Sequence, residues 1–146
     1  MCLPAAGALG LGLIGWLLAR GRRGDAVFVV LAFGGTAAID LAGKSLVRRP
    51  SLNLADTDYS FPSGHAAAAA AVVAIVFVVS PPNRRWLFTV CASIFAAGCC
   101  VLVVARGWHY PSDVVGAVLA VLAWVGFLRR FPIKGSLGSH ADEPDS

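Results

Sequence analysis

Two histidines, one carboxylate and a handful of basic residues fall at spacings that could do chemistry. His109 and Asp113 are four residues apart in "ARGWHYPSDVVGA". On a helical turn that spacing puts both side chains on one face. A carboxylate accepting one ring N–H there would fix the imidazole tautomer and leave the other nitrogen a better nucleophile or base. His65 follows Pro62, Ser63 and Gly64 in "SFPSGHAAAAAA". Ser63 is a good N-cap, and Gly64 lets a ligand approach the backbone closely. A helix start of this kind offers free N–H groups and the positive dipole end to an anion. A plain capped helix accounts for Ser63 and Gly64, but not for a histidine in the same turn.

Cations accompany both histidines. Lys44, Arg48 and Arg49 lie in "DLAGKSLVRRPSL", and Arg106 stands three residues before His109. Asp40 and Lys44, four apart on a helix, can pair. Lys44 brings a point charge, and Arg48 or Arg49 the planar fork that a phosphate matches. Four cations beside both histidines suggest an anion site. Metal binding is the competing use of such clusters. Two histidines on different segments with Asp113 make a poor ligand set among cations that repel a metal, so neither metal nor cofactor is expected.

The elements that must position these residues are hydrophobic. Of 146 residues, 58% are hydrophobic and 14% charged, with a mean hydropathy of +0.75. A soluble domain carries about 25% charged residues. Charge-free runs occur at Leu3–Ala19, Ala26–Leu46 apart from Asp40 and Lys44, His65–Ser80, Trp86–Ala105 and Val114–Leu128. Runs of this kind read as membrane-spanning helices, the short third and fifth completed by neighbouring residues or by local bilayer thinning. In lipid the backbone must satisfy itself, which leaves helices as the only choice. The expectation is an all-α, polytopic bundle of about five transmembrane helices over residues 1–130. A polar, disordered cytoplasmic tail is expected over 131–146.

If the runs alternate in direction, Arg20, Arg22, Arg23, Arg84, Arg85, Arg129, Arg130 and Lys134 share one side. The positive-inside rule makes that side cytoplasmic. Lys44, Arg48, Arg49 and Arg106 then fall on the other, beside His65 and His109. The net charge of +4 therefore belongs to membrane flanks and an anion site, not to a nucleic-acid surface. Cys91, Cys99 and Cys100 sit inside the fourth run as small apolar residues, and His140 lies in the tail on the wrong side.

On these residues the sequence resembles the type-2 phosphatidic acid phosphatase superfamily, membrane lipid phosphatases that share a helical fold with vanadium haloperoxidases. The resemblance covers about Asp40 to Leu128. Of the family's motifs, Lys-x6-Arg-Pro, Pro-Ser-Gly-His and Ser-Arg-x5-His-x3-Asp, the second is complete here and "HYPSD" gives the end of the third. Aligned from Lys44, the family's Arg-Pro falls on Ser51 and Leu52, while Arg49-Pro50 lies two residues earlier; the family's Ser-Arg falls on Leu102 and Val103, with Arg106 one turn nearer His109. Family members have six helices, and the first has no counterpart here. Either the start codon is misplaced or the site tolerates the difference.

The resemblance implies an integral-membrane, metal-independent hydrolase of a lipid phosphomonoester or pyrophosphate. Candidates are a polyprenyl (pyro)phosphate, phosphatidylglycerophosphate and phosphatidic acid. It makes His109 the nucleophile that forms a phosphohistidine, Asp113 the group that holds and polarises it, and His65 the general acid and then base. Lys44, Arg49 (or Arg48), Ser63, Gly64 and Arg106 would bind the phosphoryl oxygens. The implied partners are the lipid phosphate and the bilayer. The implied location is a bacterial inner membrane, with the site on the non-cytoplasmic face. The alternative is a catalytically impaired member that binds lipid phosphate or scaffolds membrane partners. The split of the cations gives the first prediction. A cysteine label at Asn53 should be accessible from outside, and one at Asn83 only from the cytoplasm; the reverse pattern would invert the topology.

Overall fold

The computed structural model describes residues 3–52 and 59–131. Among them the chain forms five helices, α1 (Leu3–Ala19), α2 (Arg23–Val47), α3 (Gly64–Val79), α4 (Arg85–Ala105) and α5 (Pro111–Leu128). The only extended pairing among the described residues is an isolated bridge between Pro50 and Tyr59. α2, α4 and α5 are long and apolar enough to cross a membrane, and the apolar helices α1 and α3 are shorter. The all-α bundle expected from the hydrophobic runs is the observed fold. The expected tail lies, from residue 132 on, outside the described residues.

Two helices, α2 and α5, begin three residues before their apolar runs, because a charge-free run cannot include a polar first turn. α2 takes in Asp25, which is fully buried near its positive end. Arg22 donates to Asp25 at 2.7 Å and, through Nη2, to the Val79 carbonyl at 2.8 Å. That contact ties the start of α2 to the end of α3. α5 begins at Pro111, whose fixed φ and missing N–H suit a first helical position.

α3 is the centre of the bundle and packs against α2, α4 and α5. Its alanines make this possible. Ala66, Ala67, Ala70, Ala71 and Ala74 are buried, and small side chains let membrane helices approach closely. α5 closes on α2 through Trp124, whose indole N–H donates to the Leu31 carbonyl at 3.0 Å. Gly35 lies under that indole, where an added Cβ would overlap the ring. The segment before α3 is wedged likewise: Pro62 rests on Gly43 of α2, and Phe61 on Gly116 of α5. This wedge sets the place and direction of the first turn of α3.

Neighbouring glycines of α2 test the packing. Gly35→Ala should lower stability by about 1–3 kcal/mol, the usual cost of overpacking. Gly34→Ala, whose Cβ meets open space, should leave the melting temperature of the detergent-solubilised protein unchanged or higher. Equal melting temperatures for the two variants would contradict the α2–α5 contact described.

Candidate active site

With the helices alternating in direction, the end of α2, the start of α3, the end of α4 and the start of α5 meet at one end of the bundle. Each delivers a motif. Lys44, His65 and His109 line one cavity of about 480 Å³, together with Asp40, Ser60 and Trp108. Three residues from three sequence motifs are thus brought to a single space.

His109 lies in the loop between α4 and α5 and is held by the segment before α3. Its Nδ1 lies 2.8 Å from the Ser60 carbonyl. A carbonyl only accepts, so Nδ1 carries a proton, and in the neutral ring the lone pair is on Nε2. Asp113, expected to hold this ring, stands with Oδ2 4.0 Å from Nδ1, beyond hydrogen-bond range. Its carboxylate is fully buried and serves other donors. Arg49 Nη1 donates to Oδ1 at 2.6 Å, and the Tyr110 N–H donates to Oδ2 at 3.2 Å, capping α5. The same Arg49 nitrogen donates to the Ser112 hydroxyl at 2.8 Å, and the guanidinium lies 5.3 Å from the centre of the Tyr110 ring.

At the start of α3, Ser63 caps the helix, its Oγ accepting from the Ala66 N–H at 3.4 Å. Its own N–H donates to the Asp113 carbonyl at 3.3 Å, which joins the starts of α3 and α5. The Asp40 carboxylate faces Gly64, where an added Cβ would come within 3.3 Å of Oδ1. Oδ2 of Asp40 pairs with Lys44 Nζ at 3.0 Å, and the buried Oδ1 has no hydrogen-bond partner among the described residues. The anion-attracting helix start therefore already faces a carboxylate of the protein, which the sequence marked only as the partner of Lys44.

The other two arginines lie apart from these groups. Arg48 turns back as a left-handed C-cap of α2, with φ at 45°, and donates to the Ser45 carbonyl at 3.1 Å. Arg106 rests on Trp108, 5.5 Å from its ring centre. Trp108 in turn meets the His65 ring at 5.9 Å. Arg106 lines a second space, an apolar groove of about 600 Å³ between α1, α3 and α4. His65, Trp108, Phe33 and Ala68 border both spaces, so the histidine and the indole form the wall between a polar chamber and an apolar one. Val103, at the family's arginine position, also faces the groove. Among the described residues, no three His, Cys, Asp or Glu side chains gather to hold a metal ion.

Reasoning from residue types missed Ser60, Ser112 and Trp108. Ser60 acts through its backbone and leaves no sequence signal, whereas Trp108 adjoins His109 and could have been suspected from position.

Comparison with known proteins agrees with this fold. The solved structure of a transmembrane PAP2-type phosphatidylglycerolphosphate phosphatase from Bacillus subtilis superposes with a TM-score of 0.68, covering 89% of this chain and 70% of that one at 24% identity. At that identity the likeness is one of fold. Comparison with curated proteins gives no match. The model of the PAP2 superfamily matches residues 26–135. That span holds every residue gathered at the polar cavity, and the chain belongs to the PAP2 superfamily.

Proposed function

We propose that the chain is an integral-membrane lipid phosphate phosphatase acting on a lipid phosphomonoester or pyrophosphate. The observation that carries this reading is the shared wall. A polar chamber with Lys44, His65 and His109 adjoins an apolar groove across His65 and Trp108. An amphiphile with a phosphate at its end fits that pair of spaces. Polyprenyl (pyro)phosphate, phosphatidylglycerophosphate and phosphatidic acid are members of the class.

In the proposed reaction, Nε2 of His109 attacks phosphorus while Ser60 keeps the proton on Nδ1. His65 protonates the leaving oxygen, then takes a proton from the water that hydrolyses the phosphohistidine. Lys44, Arg49, Arg106, the Ser63 turn and the Gly64 N–H neutralise the phosphoryl oxygens. Phosphoryl transfer is mainly positioning and charge stabilisation, which such a cage supplies without a metal. The site faces the non-cytoplasmic side of a multi-pass protein in a bacterial inner membrane. Arg22, Arg23, Arg84, Arg85, Arg129 and Arg130 at the opposite helix ends support that orientation.

One arrangement favours the alternative, a member that binds lipid phosphate without turning it over. Lys44 is paired with Asp40 and Arg49 with Asp113, while valine occupies the family's second arginine position. Release of phosphate from a panel of lipid phosphates decides between the two. Turnover insensitive to EDTA, inhibited by vanadate and abolished by His109→Ala is the expected result. His65→Ala should fail mainly on substrates with poor leaving groups. Binding without release would establish the alternative, and loss of activity in EDTA restored by Mg²⁺ would rule out the metal-free mechanism.

Arg106 has its own expected outcome. If its guanidinium reaches the phosphate from the groove side, Arg106→Ala lowers kcat roughly 10²–10³-fold, as loss of one preorganised donor does. Arg106→Lys should recover little, since a point charge lacks the planar fork. An unchanged rate in an active enzyme would make Arg106 an interfacial anchor.

A further inference from the structure

We propose that Asp40 determines which anion the polar chamber takes: a phosphate that still carries a P–OH proton, which the carboxylate accepts. The proposal rests on the phosphatase reading above for the class of ligand. The preference itself rests on the geometry of Asp40.

Among the described residues that line the chamber, Asp40 is the one carboxylate. Its two oxygens have different surroundings. Oδ2 pairs with Lys44 Nζ at 3.0 Å, across one turn of α2. As the partner of a lysine the group is a carboxylate, which accepts hydrogen bonds and cannot donate one. Neutralising Lys44 accounts for Oδ2. It does not account for Oδ1, which is buried and accepts from no donor among the described residues. An acceptor left unmade in a buried place carries the cost of its lost hydration. Such a group in a native structure calls for an explanation.

The direction of Oδ1 supplies one. It faces the start of α3, where a Cβ added to Gly64 would come within 3.3 Å of it. The positive end of a helix draws anions to the same spot. An anion seated there meets both the helix start and an unsatisfied acceptor. An oxygen without hydrogen would set two sets of lone pairs against each other. A P–OH oxygen would donate to Oδ1 and satisfy it. The carboxylate thus favours one form of the ligand and opposes the other, and specificity commonly uses both means. A site built to hydrogen-bond a hydroxyl discriminates strongly against the analogue that lacks it.

A phosphomonoester loses its last proton near pH 6, so Asp40 favours the form present below that. Lys44, His65 and His109 face the same space, and Tyr59 lines it. Their own titrations would overlay a pH profile. The preference is therefore read by comparing two anions at one pH.

The test is calorimetric titration of the full chain in lipid nanodiscs with inorganic phosphate and with sulfate. At about pH 8, above the second phosphate ionisation, both are tetrahedral dianions and only phosphate keeps a proton. The unsubstituted chain should bind phosphate about 10- to 100-fold more tightly than sulfate, the worth of one hydrogen bond to a charged acceptor. Asp40→Asn, whose amide can donate, should tighten sulfate and loosen phosphate until the two dissociation constants nearly coincide. If Asp40 were only structural, the variant would weaken both anions alike. If it acted only as a negative charge, the variant would strengthen both alike. Either result overturns the proposal. So does an unsubstituted chain that binds sulfate as tightly as phosphate, a measurement that needs no variant to fold. That outcome leaves the phosphatase reading standing as long as the chain releases phosphate from lipid phosphates. A chain that binds neither anion and releases no phosphate overturns the reading and the proposal together.

Discussion

Close approach to α3 is the constraint on which the site depends. A helix carrying alanines on its packing side lets α2, α4 and α5 come near enough for their ends to share a space. Leucine or phenylalanine at those positions would hold the neighbouring helices apart, and helix axes normally sit about 8–10 Å from one another according to the side chains between them. Gly43 and Gly116 extend the same principle into the loop by admitting Pro62 and Phe61. Small residues on three elements therefore fix where His65 begins its helix, and the chemistry inherits that placement.

Charge at the site is balanced within the protein. Lys44 has Asp40 and Arg49 has Asp113. Cations brought near lipid without such partners would draw their long side chains toward the interface. A carboxylate for each keeps it pointing inward. An incoming phosphate on the proposed reading meets cations already oriented, and it must compete with a carboxylate for one of them. The two pairs differ in this respect. Asp113 is fully buried behind Arg49, whereas Asp40 lines the polar chamber itself.

How much of this was legible in the sequence follows from the range of each interaction. Hydropathy located all five helices, missing only polar first turns such as Arg23–Asp25. Spacing of four residues correctly paired Asp40 with Lys44, since both sit on one uninterrupted helix. The same rule applied to His109 and Asp113 brought them to 4.0 Å, within ion-pair range but beyond a hydrogen bond. Their hydrogen-bond partners, Ser60 and Arg49, come from 49 and 64 residues away, and one of them is a carbonyl that any residue could supply. Arg106 was expected at the phosphate from its distance to His109 along the chain. What that distance could not reveal is its seat on Trp108, whose indole borders both spaces.

The wall made by His65 and Trp108 has a consequence for discrimination. A small phosphorylated metabolite occupies only the polar chamber, while a lipid phosphate also fills the groove. Apolar burial contributes about 25 cal/mol per Å², and groove contacts remote from phosphorus are the same before and during the transfer. Binding energy that is equal in ground and transition states lowers KM without raising kcat. On the proposed reading, then, the groove selects by occupancy: soluble phosphate esters are turned away by weak retention, and chemistry at His109 has no need to tell the two apart.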